Sequence, residues 1–293
     1  MDTPPKAPKI AILGGATGLL GQAINHAAAI GGYEVIALGR KDFNPTDTQK
    51  LTDFIDEHQP DIVCNTIGYT KVDLAEEEKE EATLLNRVFP CALGRIIKAR
   101  PATYLVHFST DFVFNGRKVG PYTEANETDP LSVYGRTKLE GEKALLELQL
   151  EKFCIIRTAW LFGPGKKNFV STIVELCRQG KPLNIVHDQI GSPTYTLDLA
   201  AYTLNLVEAG GKGIFHITNS GKASWCELAA EAVRLAQLEC SITPVASKDY
   251  PQKAVRPAFS ALDTARFTEV TGIMPRSWPQ ALADYIYSTM PAQ

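Results

Sequence analysis

Between Lys9 and about Arg157, short runs of β-branched and apolar residues alternate with longer stretches of helical spacing. KIAIL at 9–13, YEVIAL at 33–38, DIVCNTI at 61–67, TYLVHFST at 103–110 and FCIIRTAW at 153–160 read as strands. Runs this continuous suit strands covered on both faces, so the pattern predicts a parallel sheet between helices. The repeated order strand, helix, strand places the chain in the α/β class, as a doubly wound Rossmann sheet. Past Trp160 the rhythm loosens. Gly and Pro mark loops at FGPGKKN, QGKPL, IGSPTY and VRPAF, between helices expected near 168–179, 196–208, 224–238 and 277–290.

The first strand runs into Gly15-Ala-Thr-Gly18-Leu-Leu-Gly21 and then a helical pattern. This strand, glycine turn and helix is the setting of a dinucleotide fingerprint. Gly15 is expected to allow the tight turn, Gly18 to let backbone approach a pyrophosphate, and Gly21 to let the helix pack close to the strand. Thr17, Leu19 and Leu20 lie in the same turn, where the helix start supplies free N–H groups and a partial positive charge. The G-x-x-G-x-x-G spacing resembles that of the extended short-chain dehydrogenases. The second strand ends Leu38-Gly39-Arg40-Lys41, with two cations and no carboxylate at its tip. Arg40 would complement a 2′-phosphate, which favours NADPH, with NADH as the alternative if Asp42 reaches the ribose.

Tyr134-Gly-Arg-Thr-Lys138 puts a phenol and an ammonium one helical turn apart on one face. A phenol is a poor acid near neutral pH, and an adjacent ammonium makes its proton easier to give. The preceding strand delivers Ser109, Thr110 and Asp111 to the carboxyl edge of the sheet, where open α/β folds bind ligands. Thr110 is the expected donor to a substrate carbonyl, with Ser109 as the alternative.

Composition narrows the class without changing this picture. The 293 residues are 44% hydrophobic and 22% charged, within the globular range, and enough for a nucleotide-binding domain with a smaller partner. Thirty basic and 33 acidic residues, with no dense cationic run, argue against a nucleic-acid partner. No apolar run approaches the ~20 residues of a membrane span, and the start MDTPPKAPK lacks a signal-peptide core, so a cytoplasmic enzyme is expected. Six cysteines without C-x-x-C pairing read as small buried hydrophobes in a reducing compartment.

NTIGYTKVDLAE (65–76), FSTDFVFNG (108–116), VYGRTKLEGE (133–142), RTAWLFG (157–163), DQIGSPT (188–194), Arg256-Pro257 and Trp278-Pro279 together resemble the dTDP-4-dehydrorhamnose reductase family over nearly the whole chain. The resemblance implies NADPH- or NADH-dependent reduction of the C4 ketone of dTDP-6-deoxy-L-lyxo-4-hexulose to dTDP-L-rhamnose. It makes Thr110, Tyr134 and Lys138 the catalytic group, with Lys138 also holding the nicotinamide ribose. It sets Thr66, Ile67, Gly68 and Tyr69 along the cofactor and has Asn86 pin the helix beneath. Thr110, Asp111, Trp160, Asn168, Gln189 and Arg256 become the candidates for binding the dTDP-sugar, Arg256 by neutralising its diphosphate. Asp188 is expected to orient loop backbone. Departures from the family pattern fall at Ile67-Gly68, Asn44 and Phe259. Ala23 stands where some relatives carry a metal-linking carboxylate, so no metal site is expected.

The implied organisation is a flexible arm at 1–8, a dinucleotide-binding domain with the catalytic residues at 9–160, and a mainly substrate-binding portion at 161–293, some of which returns to the main sheet. Monomer and homodimer stay open. Two other readings share the motifs: another nucleotide-sugar 4-ketoreductase or epimerase, and a noncatalytic regulator resembling the methionine adenosyltransferase β subunit. The intact Thr110, Tyr134 and Lys138 favour catalysis. Arg40→Ala should weaken NADPH binding roughly tenfold or more while sparing NADH, the scale of a lost charge-assisted hydrogen bond. Fluorescence titration with both cofactors checks this; equal losses would show that Arg40 does not read the 2′-phosphate.

Overall fold

A computed structural model of the chain describes residues 7–39 and 41–289. The first half runs β1 (Lys9–Leu13), α1 (Leu19–Ile30), β2 (Glu34–Leu38), α2 (Thr48–His58), β3 (Ile62–Asn65), α3 (Lys79–Thr83), α4 (Phe89–Lys98), β4 (Tyr104–Thr110), α5 (Val133–Glu147) and β5 (Phe153–Thr158). All five expected strands are present, trimmed by one or two residues at some ends. The second half adds β6 (Leu161–Phe162), α6 (Phe169–Arg178), β7 (Leu183–Val186), β8 (Ile190–Gly191), β9 (Thr194–Tyr195) and α7 (Thr196–Glu208). It closes with β10 (Gly213–His216), β11 (Ala223–Ser224), α8 (Trp225–Leu235), β12 (Ile242–Val245), α9 (Ala265–Thr271) and α10 (Trp278–Thr289). The four helices expected after Trp160 correspond to α6, α7, α8 and α10.

Six parallel strands form the main sheet in the order β2-β1-β3-β4-β5-β10. The order reverses between β1 and β3, which opens a crevice at their carboxyl ends, the usual ligand position in such sheets. Side chains alternate across the sheet with period two. Ile10, Ile12, Ile62, Cys64, Val106, Phe108, Cys154 and Ile156 face α7 and the inner side of α1, with Phe267 of α9 in the same cluster. Ala11, Leu13, Val63, Leu105, Phe153 and Ile155 face Leu51 and Ile55 of α2, Leu93 and Ile97 of α4, and Leu145 of α5. Two buried layers thus fix the sheet. β10 completes it from the second half of the chain, and β7 pairs in parallel with β12 in a separate small layer beside α6 and α8.

The glycine turn is tighter than the sequence spacing suggests. Gly14, not Gly15, takes the left-handed backbone, at φ +92°. There is also no room for a side chain, since the Thr66 hydroxyl would lie 2.6 Å from a Cβ at Gly14. Gly15 is instead squeezed between Ile12 and Ala37. Gly21 has the role expected of it: a Cβ there would stand 2.4 Å from the Gly14 carbonyl oxygen, so α1 can lie on the turn only without one.

The cysteines are all free thiols; Cys64, Cys154 and Cys177 are buried, whereas Cys91, Cys226 and Cys240 are only partly so. The reading of all six as core residues is corrected for those three, which sit on helix flanks and a strand entry. Among the described residues, no helix is long and apolar enough to cross a membrane. Gly21→Ala should cost about 1–3 kcal/mol of stability, because backbone rather than a yielding side chain must move. Urea unfolding monitored by circular dichroism tests this, and an unchanged midpoint would mean that α1 can lift off the turn freely.

Candidate active site

Toward its carboxyl ends the α5-facing side of the sheet changes from apolar to polar. Continuing the alternation of Leu105 and Ile155 come His107, Ser109 and Arg157, and β3 ends in Asn65. All four are buried. Asn65 Nδ2 contacts His107 Nδ1 at 3.1 Å, and burial holds His107 well below the usual imidazole range.

Opposite them α5 presents Tyr134, Lys138 and Glu142 at intervals of four, hence on one face. Ser132 caps the helix by accepting from the Gly135 amide at 3.1 Å, and Gly135 itself lets α5 press on Phe112, whose carbonyl oxygen would be 2.2 Å from a Cβ. Glu142 receives the Arg157 guanidinium through Nε at 3.0 Å and Nη2 at 2.7 Å, and also accepts from the Ser109 hydroxyl. Ser109 therefore faces this ion pair, which corrects its place as the alternative carbonyl donor. Lys138 donates to the Phe108 carbonyl. Burial pulls the Lys138 ammonium down to about 8, opposed by the Glu142 carboxylate.

Tyr134 stands at the open end of this ladder, half-buried, with its ring edge-on to Phe112 at 5.8 Å. Burial pushes its phenol up to about 12, and the Thr110 hydroxyl beside it works in the opposite sense. Thr110 donates to Asp111 Oδ1 at 3.0 Å and accepts from the Phe112 amide at 3.2 Å. Asp111 is sealed beneath, its carboxyl pushed up to about 6 by burial. In this arrangement its oxygens serve Thr110 and Ser260 and do not face the open edge.

The loop after β3 closes the other wall. Thr66 is tied to Leu13 through both amide and hydroxyl, at 3.0 and 2.8 Å. The Ile67 amide is held by Asn65. Gly68 faces Lys138, whose Nζ would lie 3.8 Å from a Cβ there. Tyr69 turns its side chain away, with its hydroxyl on Glu78 at 2.6 Å. Asn86, in a π-helical turn at Leu84–Val88, accepts from the Tyr69 amide and donates to Thr137 of α5. It thereby fastens the loop to α5.

The described residues expected to hold a dinucleotide border this crevice. Gly18 caps α1 without a side-chain bond, leaving the N–H groups of Leu19, Leu20 and Gly21 at a free helix start. The glycine cradle beneath has no room for side chains, and Thr17 beside it is exposed. Arg40 lies outside the described residues. Asp42 accepts the Gly39 amide at 2.5 Å, so its carboxylate closes the turn after β2.

The candidates nearer the carboxyl terminus are more dispersed. Trp160 holds a left-handed backbone at φ +48° and stacks on Trp225, centroids 3.6 Å apart and planes 6° from parallel, with Gly191 against its indole. Gln189 is buried and contacts Gln252. Asp188 binds the amide and hydroxyl of Ser247, orienting that backbone. Asn168 caps α6 through Ser171 and donates to the Gly163 carbonyl and Tyr285, so its amide is spent on structure. Arg256 forms a forked ion pair with Asp73 at 2.9 and 2.7 Å. That pair occupies the guanidinium expected to meet a diphosphate. Among the described residues there is no cluster of three or more His, Cys, Asp and Glu that could hold a metal.

Residues 9–290 match the family described as RmlD substrate binding domain. The chain belongs to that family. It is 40% identical over 276 residues to the spore coat polysaccharide biosynthesis protein SpsK of Bacillus subtilis (strain 168), covering 93% of this chain and 95% of the relative. It is 36% identical over 285 residues to dTDP-4-dehydrorhamnose reductase of Aggregatibacter actinomycetemcomitans, covering 92% and 96%. The solved dTDP-4-dehydrorhamnose reductase of Bacillus anthracis in complex with NADP superposes with a TM-score of 0.93 at 29% identity, over 97% of this chain and 100% of that one.

Sequence reasoning named Tyr134, Lys138 and Thr110 but passed over Glu142, Arg157 and Ser260. Glu142 had a signal, four positions past Lys138 on the same helix; Ser260, distant in sequence, had none. Glu142→Gln should destabilise the fold by about 3–5 kcal/mol, since it leaves the Arg157 charge buried without its counterion. A denaturation midpoint within error of the parent would remove the ion pair from this account.

Proposed function

We propose that this RmlD-family protein is an NADPH-dependent oxidoreductase that reduces the C4 ketone of dTDP-4-dehydro-L-rhamnose to dTDP-L-rhamnose. The observation that carries the reading is the grouping of Thr110, Tyr134 and Lys138 at the carboxyl edge of the sheet, beside a glycine cradle with a free helix start. The names of the reductase relatives supply the substrate class, and the Bacillus anthracis complex supports NADP as the cofactor.

Gly15, Gly18 and the amides of Leu19, Leu20 and Gly21 would hold the diphosphate, and Thr66 to Tyr69 with Lys138 would hold the nicotinamide half. When bound, the dihydronicotinamide supplies hydride to the ketone carbon. Tyr134 gives its proton to the carbonyl oxygen as negative charge develops there. Lys138 stabilises the phenolate left behind, and Glu142 keeps that lysine charged against the cost of burial. The Thr110 hydroxyl gives its proton to Asp111 and not to a carbonyl, as the sequence suggested, and would instead orient the phenol from the sheet side. Trp160 and Gln189 are the proposed sugar contacts. For Asn168 and Arg256 to bind the nucleotide, their present bonds to α6 and Asp73 must be exchanged for bonds to the ligand.

The direct test is loss of NADPH absorbance with the 4-keto sugar nucleotide, generated in situ by the upstream dehydratase and epimerase, followed by identification of the product. Formation of dTDP-L-rhamnose supports the reading; NADPH binding without oxidation would overturn it. In the same assay Tyr134→Phe should lower turnover by at least ~100-fold with NADPH affinity nearly unchanged. Turnover comparable to the parent would remove Tyr134 as the acid.

A further inference from the structure

Asp111 is a carboxylate in an unusual place. It is 2% exposed, and its neighbours Thr110 and Ser260 are 4% and 1% exposed. Among the described residues it makes no ion pair with Lys or Arg. A hydroxyl reaches each of its oxygens, Thr110 Oγ1 donating to Oδ1 at 3.0 Å and Ser260 Oγ to Oδ2 at 2.5 Å, and the backbone amides of Asp111 and Phe112 also favour its charged form. A buried carboxylate without a cation is costly, and each hydroxyl that satisfies it is correspondingly fixed in direction.

Ser260 reaches this point from a distant part of the chain. The Ser260 amide donates to the Ile190 carbonyl at 2.8 Å, and the next residue, Ala261, accepts from the Tyr122 amide at 2.8 Å. The backbone is thus pinned on both sides without help from the serine hydroxyl. That hydroxyl points into the sheet edge, toward the carboxylate that orders Thr110.

We propose that Ser260 is a positioning residue for the reduction: through Asp111 it fixes the rotamer of Thr110, and so the setting of the hydroxyl beside the Tyr134 phenol. This role rests on the reductase reading above. With Ser260 absent, Oδ2 of the carboxylate loses its side-chain donor. Asp111 can then rotate, and Thr110 loses the acceptor that fixes its own hydroxyl. The cofactor cradle at 14–21 is untouched, so the defect belongs to turnover and not to NADPH binding.

The test is a double-mutant cycle of Ser260→Ala and Asp111→Asn, with kcat expressed per NADPH-binding site so that unfolded protein does not count. Ser260→Ala should lower kcat roughly 10- to 100-fold, the scale of a small misplacement of a reacting group, with KM for NADPH within about twofold of the parent. Combined with Asp111→Asn it should add little further loss, because both changes break the same chain. Ser260→Cys, close in volume but a weak donor, should behave like the alanine variant and stands in for it if that one fails to fold. Parent-like kcat in either serine variant, additive losses in the double variant, or a rise confined to the NADPH KM would overturn the role. The unmodified protein separates the two claims. If it does not turn over the 4-keto sugar, the reductase reading fails and this role with it; if it does and Ser260→Ala matches it, the role alone fails.

Discussion

Burying the Lys138 ammonium against the edge of a parallel sheet costs several kcal/mol unless partners are already in place, and the polar half of the structure is arranged around supplying them. Phe108 gives a strand carbonyl, and Glu142 gives a carboxylate one helical turn away. Glu142 is itself buried, so it needs Arg157 and Ser109, which arrive on two adjacent strands of the sheet. The ion pair spans helix and sheet. The position of α5, and with it Tyr134, is therefore set by electrostatics as much as by apolar packing.

Close backbone approach is the second constraint, and it explains why the site tolerates so few side chains. Gly141 lets α5 meet the π-helical turn, where a Cβ would fall 2.0 Å from the Asn86 carbonyl oxygen. Gly135 and Gly21 do the same against Phe112 and Gly14. The π-helical turn matters because it aims the Asn86 side chain between the loop at 66–69 and α5, joining the two walls of the crevice through Tyr69 and Thr137.

These relations explain what could be read from the sequence. Strands with two apolar faces announce themselves in continuous runs such as IVCN and FCII, and the helix period alone makes Tyr134 and Lys138 neighbours. Gly14 could not be told from Gly15 as the left-handed residue, and the lack of room at Gly14 comes from Thr66, over fifty residues away. Asn168 and Arg256 have the chemistry of nucleotide ligands, yet tertiary context gives one a helix to cap and the other an aspartate to pair with. Local pattern fixes faces and periods; it carries no information about which distant partner claims a polar group first.

The resulting site draws on nearly every part of the chain: the turn at 14–21, the loop at 66–69, Asn86, the end of β4, α5, Arg157 and the segment around Ser260. Hydrogen bonds from remote pieces hold several of them, as Asn86 holds the loop and Arg157 holds Glu142. Thr110 illustrates this most fully, since the carboxylate to which it donates lies next to it in sequence while the serine that donates to the same carboxylate is 149 residues further on. The second half of the chain thus enters this arrangement directly. It supplies β10 to the main sheet and Ser260 to the sheet edge, so the geometry around Thr110 and Tyr134 is completed only when both halves have folded together.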